Sequence, residues 1–109
     1  MLRMKRMGHD MTVCLEGEID HFSAQGIRRE IESVLMDRQI SRLILDFSGV
    51  SFMDSSGVGM LIGRYRTMKD RLGSVSAVGL SPQMERLFRL AGLHRIITVE
   101  KGEENTGNE

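Results

Sequence analysis

Asp54-Ser55-Ser56-Gly57 stands between an apolar run that ends in "SFM" and a glycine-spaced apolar segment, "VGMLIGRY". Two hydroxyls behind a carboxylate, followed at once by glycine, can supply four kinds of chemistry. They can offer a nucleophile, cradle a phosphate, cap a helix, or accept a phosphoryl group. A serine nucleophile on a strand-to-helix elbow needs the pattern G-x-S-x-G and a base in reach. The sequence reads "MDSSGVG", and His9, His21 and His94 fall in predicted loops or element ends, none of them placed beside the serines. Gly57, Gly59 and Gly63 loosely resemble a nucleotide loop, but the Gly-Lys-Ser/Thr ending is absent and G-x-G-x-x-G is missed by one residue. Free amides at a helix start still attract anions, so weak nucleotide binding by the Asp54–Gly59 loop stays open. A cap from Asp54 or Ser55 contributes about 1 kcal/mol, yet one cap needs neither two serines nor the glycines. A phosphoryl group on a serine here would add about −1.5 to −2 charges at a helix start, where the dipole tolerates them.

The glycines bear on the choice. At 100° per residue, Gly59 and Gly63 lie off the apolar stripe Val58, Leu61, Ile62, Tyr65, Met68 and Leu72. Two glycines in one helix cost roughly 2 kcal/mol of propensity. A bare helix surface beside exposed serines suits close approach by another protein, and this reading is preferred to tolerated drift.

The elements that must hold this joint follow from periodicity. Leu2–Met7 and Met11–Glu16 flank the turn residues Gly8-His9-Asp10 and predict a β-hairpin. Ala24, Ile27, Ile31, Val34 and Leu35 share one helical face, with Ser23 as its expected N-cap. "RLILDF" reads as a strand buried on both faces. After the helix that ends near Leu72-Gly73, "SVSAVGL" predicts another strand. Ser81-Pro82 opens a helix with stripe Met84, Leu87, Phe88 and Ala91, Gly92 ends it, and Ile96–Val99 is a last strand. The fold class is therefore α/β, with order β-β-α-β-α-β-α-β and a mixed, mostly parallel sheet of 4–5 strands. In such sheets, sites lie at the carboxyl ends of strands, where Asp54 falls. Residues 1–100 form the expected domain, and 101–109, "KGEENTGNE", a flexible polar tail.

Composition removes other classes. The 109 residues suit one domain without metal or disulfide support. Lys+Arg and Asp+Glu are both 15, so no net charge attracts the chain to nucleic acid or anionic membrane. The single cysteine, Cys14, reads as a small buried hydrophobe. Glu16, Glu18 and Asp20 alternate, but no histidine or cysteine spacing completes a metal site. Arg64, Arg66, Lys69 and Arg71 read as a solvated basic face. There is no signal-peptide pattern and no membrane-length apolar run, so the expected location is the cytoplasm.

"DFSGVSFMDSSGVGMLIGRY", with "GEIDHFSA" and "SPQMERLFRLAGLHRII", resembles the bacterial anti-sigma factor antagonists of the STAS-domain family, most of all their sporulation branch. The resemblance spans about Glu16 to Val99. It implies a single STAS-like domain that is a binding module and kinase substrate, not an enzyme, and needs no cofactor. It implies phosphorylation at Ser56 by an anti-sigma factor with serine kinase activity, and removal of the phosphate by a serine phosphatase. The unphosphorylated form would bind the anti-sigma factor and release a sporulation sigma factor. Asp54, Ser55, Gly57 and Gly59, with Asp20 of "GEID", would contact the partner, and Glu18 would support them. An antagonist acting on a stress-response sigma factor is the rival within the family.

Overall fold

A computed structural model describes residues 2–100; the expected 101–109 tail lies outside them. β1 (Arg3–Met7) and β2 (Asp10–Ile19) form the hairpin, paired antiparallel from Arg3↔Cys14 to Met7↔Asp10. Gly8 makes the two-residue turn possible with φ +62°. Then follow α1 (His21–Val34), β3 (Arg42–Met53), α2 (Ser55–Asp70), β4 (Ser74–Val78), α3 (Pro82–Ala91), a 3₁₀ turn (Leu93–Arg95) and β5 (Thr98–Glu100). The sheet order is β1-β2-β3-β4-β5, with every pair after the hairpin parallel.

Three crossovers of one hand, each stepping to the next strand, put all three helices on one side of the sheet. Leu43, Leu45 and Phe47 are buried under them, and Phe47 meets Phe88 of α3 edge-on at 5.4 Å between ring centroids. Arg42, Ile44 and Asp46, on the opposite side, are only half-buried. The two-sided burial expected of "RLILDF" is therefore corrected to one side. Across the open side Arg42 reaches Asp10 (3.4 Å) and Glu100 (2.5 Å), joining β2, β3 and β5. Cys14 lies on this side and is half-buried, not enclosed.

The core stripe of α2 is also rotated from the expected one. Gly57, Met60, Leu61, Arg64 and Met68 are buried, while Val58, Ile62 and Tyr65 are half-buried. Leu72 lies past the helix end, exposed, with φ +61°. In α3, Met84 and Phe88 are buried, Leu87 is half-buried and Ala91 exposed. Its ends are as the sequence indicates: Ser81 Oγ accepts from the Met84 amide at 3.1 Å, and Gly92 closes it in the left-handed region.

Two arginines of the supposed solvated run are structural. Arg64 is 6% exposed and donates to Glu32 of α1 at 3.0 Å. Arg71 donates to the carbonyls of Leu35 (2.6 Å), Asp37 (3.2 Å) and Ile40 (3.2 Å). It satisfies acceptors that the end of α1 and the loop after it leave open. Arg66 and Lys69 remain exposed.

Candidate functional site

β3 outruns β4. The β3–β4 ladder stops at Asp46↔Val78, whereas β3 continues beside β2 to Met53↔Ile19. The chain leaves the sheet at Asp54, still extended (φ −106°, ψ −168°), and turns directly into α2. Asp54 Oδ1 accepts from the Ser56 amide at 2.8 Å and, at the longer distance of 3.4 Å, from the Gly57 amide. The carboxylate thus occupies the anion-seeking end of its own helix. A nucleotide phosphate would have to displace it, which weighs against the loop as a nucleotide site.

The adjoining helix is built alike. Asp20 Oδ1 accepts from the amides of Phe22 (3.1 Å) and Ser23 (3.0 Å). Ser23 Oγ accepts from the Asp20 amide at 2.9 Å and donates to the Glu18 carbonyl at 2.7 Å. Asp20, not Ser23, is the N-cap of α1, and Ser23 closes a reciprocal capping box three residues later. The Ser23 amide bond, ahead of a smaller opposing burial effect, holds the Asp20 carboxyl below its ordinary value. The two joints touch: the Asp54 amide donates to the Ile19 carbonyl at 3.2 Å. The end of the sheet therefore carries two aspartate-capped helix starts side by side.

Ser55 is exposed and Ser56 half-buried, and among the described residues neither hydroxyl has a hydrogen-bond partner. No histidine ring is bonded to either. His9 Nδ1 meets the Gln39 carbonyl at 2.8 Å, and His21 stacks edge-on against Phe22. Among the described residues no group of three potential metal ligands comes together. Glu16 and Glu18 are both exposed. No described helix is long and apolar enough to cross a membrane.

The glycines divide by role. Gly57 is buried, and a Cβ there would overlap Met53 Cγ and sit 2.9 Å from Ile19 Cγ2. Its bareness lets the first turn of α2 settle on the ends of β2 and β3, a packing role the sequence did not indicate. Gly59 is exposed, and a Cβ at Gly59 or Gly63 would meet nothing within 4 Å. Ser55, Gly59 and Gly63, spaced by four, form a bare strip leading away from the serines.

Beside the joint, sequence reasoning missed a groove between the end of β3 and α3, lined by Ser51, Phe52, Met53, Met84, Leu87 and Leu90 among others. Phe52 and Leu90 are exposed. The only available signal was "SFM" extending a strand beyond "RLILDF".

Comparison with known proteins agrees with this architecture. The STAS domain family model matches residues 1–106. An anti-sigma F factor antagonist of Paenibacillus polymyxa is 30% identical over 91% of this chain and 85% of its own. An anti-sigma-B factor antagonist of Bacillus subtilis (strain 168) is 34% identical over 93% of this chain and 91% of its own. The solved structure of the Bacillus cell fate determinant SpoIIAA in the phosphorylated form superposes with a TM-score of 0.73 at 29% identity, covering 97% of this chain and 96% of that one. With five strands in chain order, three helices on one side and an Asp-Ser-Ser-Gly joint at the sheet's end, the chain belongs to the STAS-domain family of anti-sigma factor antagonists.

Proposed function

We propose that residues 1–100 act as a cytoplasmic partner switch set by phosphorylation of Ser56. Unphosphorylated, the chain binds an anti-sigma factor that is also an ATP-dependent serine kinase, and a sporulation sigma factor is released. Phosphorylated, it lets go, and a serine phosphatase restores it. The chain is a kinase substrate and binding module, not an enzyme. The observation that carries this reading is the Ser56 hydroxyl, without a hydrogen-bond partner among the described residues, in the first turn of a helix whose amides Asp54 already caps. A phosphoryl group there adds about −1.5 to −2 charges beside a carboxylate. The helix dipole keeps the fold intact, and a close-fitting partner is repelled. Asp54, Ser55 and Gly59 lie at that surface, with Asp20 at the neighbouring helix start. A relative solved in a phosphorylated form is consistent with the switch.

Release of a stress-response sigma factor is the second reading, favoured by the 34% identity to an anti-sigma-B factor antagonist over 93% of this chain. Incubation with the anti-sigma factors encoded in the same genome and ATP, followed by intact-mass spectrometry and peptide mapping, tests both. One phosphoryl group on Ser56 is expected, and the anti-sigma factor that adds it identifies the pathway. Phosphate on Ser55 moves the site by one residue. No phosphate, from a kinase active on another substrate, removes the switch.

A further inference from the structure

Phe22 and Ser56 hold the same place in neighbouring helices. Each is the second residue of its helix. Each donates its amide to Oδ1 of the capping aspartate, Phe22 to Asp20 at 3.1 Å and Ser56 to Asp54 at 2.8 Å. Both helices leave the carboxyl end of the sheet, the Asp54–Ile19 bond sets their starts side by side, and Arg64–Glu32 joins them further along. Axes of helices in contact lie about 8–10 Å apart, so a surface that covers Ser56 reaches Phe22 as well.

Phe22 is 82% exposed and lies off the face formed by Ala24, Ile27 and Ile31, outside the core. It is nonetheless held. Asp20 fixes its amide, and its ring meets His21 edge-on with centroids 5.6 Å apart. A large apolar side chain that is already placed loses little freedom when a partner covers it. Its surroundings are acidic, which the equal totals of the whole chain conceal. No Lys or Arg occurs between Arg6 and Arg28 or between Arg42 and Arg64, the two stretches that make the joint, while Glu18, Asp20 and Asp54 lie at this end. An aromatic among carboxylates repels a second copy of itself, an anionic bilayer and nucleic acid, and attracts a basic protein surface. Resting on the partner proposed above, we infer that Phe22 anchors the anti-sigma factor, its ring entering an apolar pocket whose rim on the partner carries Lys or Arg. A partner held there lies close over Ser56, where a phosphoryl group takes up the space it needs.

The test uses the full chain with the cognate full-length anti-sigma factor. Phe22→Ala is expected to keep the wild-type circular dichroism and melting temperature, since the α1 cap bonds use main-chain amides. It should raise Kd by about tenfold or more, and Phe22→Leu should recover part of that loss. Kinase in excess should still phosphorylate Ser56 in Phe22→Ala, with KM raised and kcat unchanged. Leu72→Ala, at a residue 95% exposed beyond the far end of α2, should bind as the wild type does. The wild-type association rate should fall about tenfold between roughly 0.05 M and 0.5 M salt, and Glu18→Lys should lower it at low salt. Wild-type affinity in Phe22→Ala, or an equal loss in Leu72→Ala, overturns the anchor and leaves the Ser56 switch standing. An association rate indifferent to salt and to Glu18→Lys overturns the basic rim. If the wild type neither binds the anti-sigma factor nor is phosphorylated by it, the proposed function and this anchor both fall.

Discussion

The amide of Asp54 donates to the carbonyl of Ile19 at 3.2 Å, one residue before Asp20 begins its own helix. That bond fastens the two helix starts together. A charge introduced at Ser56 therefore lands on a rigid platform, and its effect is expected at the partner surface, not in the fold.

Ser56→Asp tests this rigidity. The variant should show an unchanged circular-dichroism spectrum while binding to the anti-sigma factor weakens by about tenfold or more. Ser56→Ala should bind as the wild type does and escape phosphorylation. Loss of folded structure in Ser56→Asp would contradict a switch that leaves the fold intact.

The two glycines of the joint should respond in opposite directions to the same change. Gly57→Ala drives a methyl into Met53 and Ile19, and overpacking of this kind costs about 1–3 kcal/mol. Gly59→Ala meets open space and should stabilise by about 0.4–1 kcal/mol. If the partner approaches the bare strip closely, Gly59→Ala will bind less tightly despite its higher melting temperature. Urea titration and binding isotherms on the same samples separate the two effects.

Arg64 offers a test of burial. Glu32→Ala leaves the guanidinium buried without its carboxylate and should cost about 1–2 kcal/mol, since Glu32 itself is half-exposed. Arg64→Met removes the charge and keeps the volume, so it should cost less than Glu32→Ala. Denaturant midpoints of the two variants decide the order.

Acid stability should report the α1 cap. The Asp20 carboxyl titrates below its ordinary value of 3.8 in the folded chain, chiefly through the Ser23 amide bond. A depressed folded pKa contributes stability that is present above the unfolded value and lost as pH falls through the folded one. Asp20→Asn keeps a capping side chain and removes the titration. Its urea midpoint should fall less than that of the wild type between neutral pH and pH values below 3.8, a range in which other carboxylates, Asp37 among them, titrate in both proteins.

The order of elements along the chain, the helix positions and the Asp54 joint were legible in the sequence because each rests on local signals. Those signals are alternation in Met11–Leu15, the apolar face of Ala24–Leu35, and the Ser81-Pro82 and Gly92 boundaries. Most of the errors involve contacts between elements, and one is a local exchange of capping roles. Ser23 looks like a cap until Asp20 takes the position and leaves Ser23 to close the box. Arg64 and Arg71 look solvated because a composition pattern does not show α1 lying beside them. Gly57 and Gly59 look equivalent along the chain, and only the ends of β2 and β3 distinguish them. One-sided burial of β3 follows from every crossover stepping to the adjacent strand, which no single segment reveals.

The sheet lists its strands in the order in which the chain is made. During synthesis each strand can join a neighbour that has already emerged, with at most one α-helix intervening. Nothing has to wait for a distant segment, and no strand inserts between two others. Such a sheet can grow from its first hairpin towards β5, and the Asp54 joint draws on β2, β3 and α2 without needing α3 or β5.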